Sequence, residues 1–86
     1  MASFEYVIKD EVGIHARPAG LLVEKAKSFT ANAIEVAKDD KKADAKKLFA
    51  VLKLGAKQGD KVVVTVTGEN DTEVSAELEE FFKKNL

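Results

Sequence analysis

Alternating apolar positions and a run of branched side chains predict two strands, one near the start of the chain and one in its second half. Phe4, Tyr6 and Ile8 occupy every second position, which is typical of a strand with one buried face. Residues 61–67 form the strongest β segment, because they are rich in branched side chains and bounded by glycines. We therefore expect a first strand over residues 4–8 and a central strand over 61–67.

Helical spacing of apolar residues begins after residue 15. The residues that follow the i, i+3, i+4, i+7 pattern of an amphipathic helix are Ala19, Leu22, Val23, Ala26 and Phe29. The pattern predicts a helix from Ala16 to about Ser28. Gly20 costs this helix about 1 kcal/mol relative to alanine, and its small size lets a partner approach.

The middle of the chain predicts a hairpin and a short helix. Residues 33–37 and 42–43 form two strand arms around a polar turn at 38–41. Asp44 is the expected cap of the short helix, and Gly55 stands where a left-handed residue often ends one. The apolar members of this helix are Leu48, Val51 and Leu52.

A closing helix completes the pattern. Asn70 or Asp71, followed by Glu73, suggests a capping arrangement, and the apolar face consists of Val74, Leu78, Phe81 and Phe82. The order β-α-β-β-α-β-α predicts an α+β fold. It has two layers, a four-stranded, mostly antiparallel sheet with three helices on one face.

Size and composition restrict the classes of protein to which the chain can belong. Its 86 residues suit a single domain over residues 1–86. A net charge of −1 offers no general attraction to nucleic acid or anionic lipid. The absence of cysteine excludes disulfides and thiolate chemistry. The same absence leads us to expect a cytoplasmic protein, and no apolar run is long enough to cross a bilayer.

One chemical cluster stands out, in the sequence from Gly13 to Ala19. It contains the only histidine, arginine and proline of the chain: His15, Arg17 and Pro18. Proline is preferred in the first turn of a helix, so His15 should lie at the helix N-terminus. The free backbone amides of Ala16 and Arg17, together with the helix dipole, favour an anion there.

The chemistry of these residues points to phosphoryl transfer. A neutral imidazole is a nucleophile, and the N–P bond that it forms is reactive enough to be passed on. Arg17 offers a fixed cation suited to phosphate. A lone histidine is usually structural, but a nucleophile, a guanidinium and an anion-favouring helix start coincide here within four residues. We therefore expect His15 to accept the group and Arg17 to stabilise it.

The segment from Gly13 to Ala19 resembles the active-site signature of the histidine-containing phosphocarrier (HPr) family of the bacterial sugar phosphotransferase system. Leu48-Phe49, Leu54-Gly55 and Gln58-Gly59 resemble further parts of that family. The resemblance implies an open-faced β-sandwich and phosphorylation of His15 on Nδ1 by enzyme I. Transfer to the A-domains of sugar permeases would follow. It implies a carrier rather than an enzyme, with no cofactor.

The resemblance also implies a docking surface on the first two helices. The positions that map to it are Ala16, Gly20, Lys27, Leu48, Phe49 and Leu52. From the residues alone, Leu48 and Phe49 are equally compatible with core packing. A carrier that shows one face to successive partners works most simply as a monomer.

Two positions depart from the family. Many members carry a regulatory serine where this chain has Lys47, so control by serine phosphorylation is not expected. Glu24 replaces a lysine found in some members and reduces the basic character of the first helix, for which Lys25 and Lys27 compensate.

Other functions remain as alternatives. A carrier of the nitrogen-related branch would look similar, whereas a regulatory docking paralogue would be expected to lack His15. An RNA-binding module is disfavoured because the strand over 62–66 offers no aromatic platform. One histidine gives no spacing for a metal site. The lysines at 41–42 and 46–47 are interpreted as a solvated face.

Overall fold

The computed structural model describes residues Met1–Leu86. Its elements follow the order predicted from the sequence, with four strands and three helices. They are β1 (Ala2–Val7), α1 (Ala16–Lys27), β2 (Asn32–Lys38), β3 (Lys41–Asp44), α2 (Leu48–Lys53), β4 (Lys61–Gly68) and α3 (Asp71–Asn85). β1 ends one residue earlier than the pattern suggested, although the amide of Ile8 still donates to the carbonyl of Asp60 at 2.9 Å.

The strands form one sheet in the order β1-β4-β2-β3, and every pairing is antiparallel. β4 is central, as its composition predicted, and lies between β1 and β2. A two-residue turn joins β2 to β3, with Lys38 opposite Lys41. Asp39 in that turn has a φ of 55°, a left-handed conformation that aspartate tolerates.

One face of the sheet is covered by the helices. Val62, Val64 and Val66 of β4 are fully buried, whereas Val63 and Thr65 between them are only half-buried on the other face. α3 packs on β1 and β4, and its fully buried Phe82 contacts Phe4 and Tyr6 edge-to-face, each with ring centroids 5.6 Å away. The predicted open-faced sandwich is therefore confirmed.

The expected cap of α2 is wrong. Asp44 lies at the end of β3, its Oδ1 accepts the amide of Lys46 at 2.9 Å, and its carbonyl accepts the amide of Lys47 at 3.0 Å. It therefore stabilises the turn between β3 and α2. The N-cap of α2 is Lys47, which makes no side-chain cap bond.

The expected capping arrangement of α3 is also wrong. Asn70 is the N-cap but has a left-handed φ of 55° and makes no side-chain cap bond. A capping side chain normally folds back over the first turn from an extended backbone, which Asn70 does not have. The carboxylate of Asp71 accepts the neighbouring amide of Thr72 at 2.8 Å and pairs with the N-terminal ammonium of Met1 at 2.6 Å.

Lys46 corrects the interpretation of the lysine-rich stretch. Lys41, Lys42 and Lys47 are exposed, but Lys46 is half-buried. Its Nζ donates to the carbonyls of Phe29 at 2.9 Å and Asn32 at 2.6 Å. Lys46 therefore joins the turn before α2 to the loop after α1 and to the first residue of β2.

Candidate functional site

The loop before α1 is held by its own backbone. The amide of Val12 donates to Oδ1 of Asp10 at 2.9 Å, and the amide of Gly13 donates to the carbonyl of Asp10 at 3.1 Å. The amides of Lys9 and Asp10 both donate to the carbonyl of Leu86, at 2.6 and 2.8 Å. These bonds fix the path by which the chain enters α1.

Gly13 brings this loop against the segment between α2 and β4. Its φ is +80°, and a Cβ built on it would overlap the carbonyl oxygen of Ala56 and lie 2.7 Å from Cα of Lys57. The amide of the buried Ile14 donates to that same carbonyl of Ala56 at 3.0 Å. Only glycine permits both the left-handed backbone and the close approach.

His15 is the N-cap of α1, as the position of Pro18 predicted. Its backbone is extended, with φ −100° and ψ −172°, and its carbonyl accepts the amide of Ala19 at 2.9 Å. The half-buried imidazole makes no hydrogen bond within the protein, so both ring nitrogens are free of internal partners. An extended backbone at the N-cap is the conformation from which a side chain can lie over the first turn of the helix.

The first turn of α1 leaves its amides free beside this imidazole. The backbone N–H groups of Ala16 and Arg17 donate to no protein group, and Pro18 has no N–H to donate. The first turn holds no acidic residue. The positive end of the helix is therefore not neutralised and favours an anion near His15.

The guanidinium of Arg17 is exposed and forms no ion pair. The structure thus brings together the three residues proposed for phosphate chemistry, His15, Ala16 and Arg17, at the start of one helix. Arg17 is free to change its rotamer when an anion arrives or leaves.

The predicted docking positions divide into exposed and half-buried residues. Ala16 and Lys27 are exposed, whereas Gly20 is half-buried, with open space where a Cβ would lie. Their spacings of four and seven residues place them on one side of α1. α1 packs against the six-residue α2.

Phe49 on α2 is 75% exposed, whereas Leu48 and Leu52 are half-buried and pack against the core. The sequence left open whether Leu48 and Phe49 belong to the core or to the surface. In the structure Phe49 is a surface residue, and its neighbour Leu48 contributes to both core and surface. An exposed phenylalanine on a helix that already buries Val51 marks an apolar surface without an internal partner.

Sequence reasoning missed Leu21. It follows Gly20 on α1 and is 42% exposed, although its type suggested a core residue. The helical spacing held the signal, because Leu22 and Val23 already occupy the buried side and Leu21 falls outside it.

The surface around His15 is not a deep pocket. The larger grooves lie elsewhere: one crosses the open face of the sheet between β2, β3 and β4, and another lies between α1 and α3. No cluster of histidine, cysteine or carboxylate side chains could hold a metal ion. None of the helices is both long and apolar enough to cross a bilayer.

Comparison with known proteins identifies the family of the chain that carries this surface. The profile described as "PTS HPr component phosphorylation site" matches residues 2–84. The chain belongs to the HPr family. The phosphocarrier protein HPr of Mycoplasma genitalium is 33% identical to it over 85 residues, covering 99% of this chain and 97% of the relative.

Solved HPr structures share the fold. HPr-C-His from Thermoanaerobacter tengcongensis superimposes with a TM-score of 0.91 at 34% identity, covering 99% of this chain and 94% of that one. A structure described as an HPr dimer from the same organism matches with a TM-score of 0.66 at 36% identity, over 93% of this chain and 94% of that one. The expected membership of the HPr family is therefore confirmed, and with it a phosphocarrier of the phosphotransferase system.

Proposed function

We propose that His15 of this chain accepts a phosphoryl group from phosphorylated enzyme I and donates it to the A-domains of sugar permeases. The observation that carries the proposal is the position of the only imidazole. It extends from the N-cap of α1, without an internal hydrogen bond, beside two amides that have no partner.

The proposed step is an exchange of one N–P bond for another. The lone pair of Nδ1 attacks phosphorus, and the N–P bond of the donor phosphohistidine breaks with its electron pair returning to the donor nitrogen. Nε2 keeps its proton throughout. In the second half-reaction the roles are reversed, and the acceptor histidine of an A-domain attacks the same phosphorus.

The residues around His15 stabilise the transferred charge. The amides of Ala16 and Arg17 can donate to the phosphoryl oxygens at the positive end of α1. The guanidinium of Arg17 adds a cation with paired donors. Because Arg17 has no ion pair to break, it can follow the phosphoryl group without losing an internal contact.

The partners complete the chemistry and dock beside it. The apolar side chains of Phe49, Leu48 and Leu52 suit the centre of a protein interface, with Ala16, Gly20 and Lys27 of α1 around them. A site on an open surface suits a carrier that meets other proteins' active sites, and the chain itself turns over no substrate. No cofactor enters the scheme.

The direct test is phosphorylation by phosphoenolpyruvate and enzyme I, with the labelled residue located by mass spectrometry and by 31P NMR. We expect one acid-labile phosphoryl group per chain, on His15, and none on His15→Ala. Folded His15→Ala protein that still became labelled would refute the assignment.

Arg17→Ala tests the stabilising role. We expect the rate of transfer from enzyme I to fall by about 10-fold or more, while the free energy of unfolding changes by less than about 0.5 kcal/mol, since Arg17 is exposed. Equal transfer rates in the two proteins would remove Arg17 from the mechanism.

We also propose that the chain works as a monomer, since one docking surface serves both donor and acceptor. One HPr neighbour is described as a dimer, so the oligomeric state is worth measuring. Light scattering at the protein concentration of the transfer assay should give the mass of one chain. A dimer mass at that concentration would contradict this part of the proposal.

A further inference from the structure

We infer that Lys57 supplies a second cation to the phosphoryl group on His15, in addition to Arg17. This inference rests on the proposed phosphorylation of His15 and adds a residue from another part of the fold. Its basis is the packing of the loop before α1 on the segment between α2 and β4.

The backbone of Lys57 lies against the entry to the site. A Cβ on Gly13 would lie 2.7 Å from Cα of Lys57, so Cα of Gly13 and Cα of Lys57 are themselves in close contact. The hydrogen bond from Ile14 to the carbonyl of Ala56, at 3.0 Å, holds this contact in place.

The distance from this contact to His15 is within the reach of a lysine. His15 is two residues beyond Gly13, at most about 7 Å along the chain. A lysine carries its ammonium on a flexible four-carbon stem, on the order of 6 Å from its Cα. Nζ of Lys57 can therefore contact a phosphoryl group on His15 when the two side chains turn toward each other.

The backbone of Lys57 is anchored while its ammonium is free. The amide donates to Oδ2 of Asp60 at 2.9 Å, and the carbonyl accepts the amide of Asp60 at 2.9 Å. The side chain is exposed, and its Nζ forms neither a hydrogen bond nor a salt bridge. An exposed lysine held at its backbone loses less freedom when it binds an anion than one in a mobile loop.

The Asp60 carboxylate interacts electrostatically with this ammonium, but it is already engaged by two other groups. The Asp60 carboxylate already accepts the amide of Lys57 and pairs with Nζ of Lys38 at 3.2 Å. A phosphoryl group carries a charge of about −1.5 to −2 at neutral pH. It is the stronger attractor once it is formed.

A cation that contacts only the phosphorylated state stabilises that state. The equilibrium constant for moving the phosphoryl group from phosphoenolpyruvate to this chain would then depend on Lys57. This quantity does not depend on how enzyme I docks, because a catalyst does not alter an equilibrium. It therefore separates a contact with the phosphoryl group from a contact with the partner protein.

The experiment compares Lys57→Gln, Lys57→Arg and Lys42→Gln with the unaltered protein. Lys42 is the matched control because it is also exposed and has no bonded partner, but lies on β3. The phosphorylated fraction is measured at equilibrium over a range of pyruvate to phosphoenolpyruvate ratios with a trace of enzyme I. Unfolding curves establish that the variants are equally folded.

We expect Lys57→Gln to lower the equilibrium constant by about 2- to 5-fold at low salt, with Lys57→Arg close to the unaltered protein and Lys42→Gln unchanged. The difference should shrink as salt is raised. Equal constants for Lys57→Gln and the unaltered protein would overturn the role of Lys57 while His15 remained labelled. Failure of the unaltered protein to become labelled would instead overturn the proposed function.

Discussion

The carbonyl oxygen of Ala56 occupies the space into which a side chain at position 13 would project. That oxygen accepts the amide of Ile14, the residue before His15. The segment between α2 and β4 therefore sets the position of the histidine, although the two are far apart in the sequence.

Gly13→Ala should destabilise the protein. A left-handed φ of +80° costs any residue with a Cβ, and the overlap with Ala56 forces one of the two segments to move. We expect the free energy of unfolding to fall by about 2 kcal/mol or more, measured by urea denaturation. Phosphorylation of the folded fraction should slow as well, because the displaced loop carries His15.

Gly20→Ala is the matched control for Gly13. It lies in α1 and has no atom near the position of a Cβ, so it should stabilise the protein by about 0.5–1 kcal/mol. If both alanine variants changed stability in the same direction, the strain assigned to Gly13 would be wrong.

The predictable part of this fold is the part in which periodicity and burial agree. Val62, Val64 and Val66 alternate and form the buried face of β4. The spacing of Leu22 and Ala26 places both on the buried face of α1. A period of two or of 3.6 residues with one buried face leaves little choice of element.

The predictions that were wrong concern side chains whose partners come from distant parts of the chain. Asp44 has the chemistry of a helix cap, yet the pairing of β3 with β2 keeps it in the sheet, opposite Glu35. Lys46 looks like its exposed neighbours, but carbonyls from another turn lie within its reach.

The same division applies to the candidate site. His15, Arg17 and Pro18 lie within four positions of one another and can be found from the sequence. The contact of Gly13 with Lys57 instead joins segments more than forty residues apart. Only the tertiary fold shows it.

Phe49→Ala should separate docking from stability. The side chain is 75% exposed, so we expect a loss of less than about 1 kcal/mol in unfolding free energy. As an apolar residue at the centre of the proposed interface, it should raise KM for enzyme I by about 10-fold, equivalent to about 1.4 kcal/mol.

Val7→Ala controls for the loss of an exposed apolar side chain, since Val7 lies on β1, next to the inward-facing Tyr6. Steady-state kinetics with enzyme I at varied carrier concentration gives both KM values. An unchanged KM for Phe49→Ala would exclude Phe49 from the interface with enzyme I.

Lys46→Met should be destabilising without affecting the chemistry. It removes two charge-assisted hydrogen bonds, to the carbonyls of Phe29 and Asn32, and leaves both acceptors less satisfied. We expect a loss of about 1–3 kcal/mol, or a melting temperature lower by several degrees. Lys42→Met, at an exposed position without such bonds, should leave the melting temperature nearly unchanged. Equal melting temperatures for the two variants would show that Lys46 does not hold these segments together.

Asp60 should contribute to the loss of stability in acid. The amide of Lys57 and then the ammonium of Lys38 lower the pKa of the Asp60 carboxyl from its usual value. Because the folded protein binds this proton more weakly than the unfolded chain, the contribution is fully present above the unfolded pKa of about 3.9. It is lost as the pH falls through the lower, folded value.

Asp60→Asn removes the titrating group, so its unfolding midpoint should lie below that of the unaltered protein near neutral pH and approach it in strong acid. Asp40→Asn, in the exposed turn between β2 and β3, controls for the change in net charge. Chemical denaturation from about pH 2 to pH 7 gives the comparison. A gap between Asp60→Asn and the unaltered protein that stayed constant over this range would show that the Asp60 carboxyl has the same pKa in the folded and unfolded states, and would contradict the prediction.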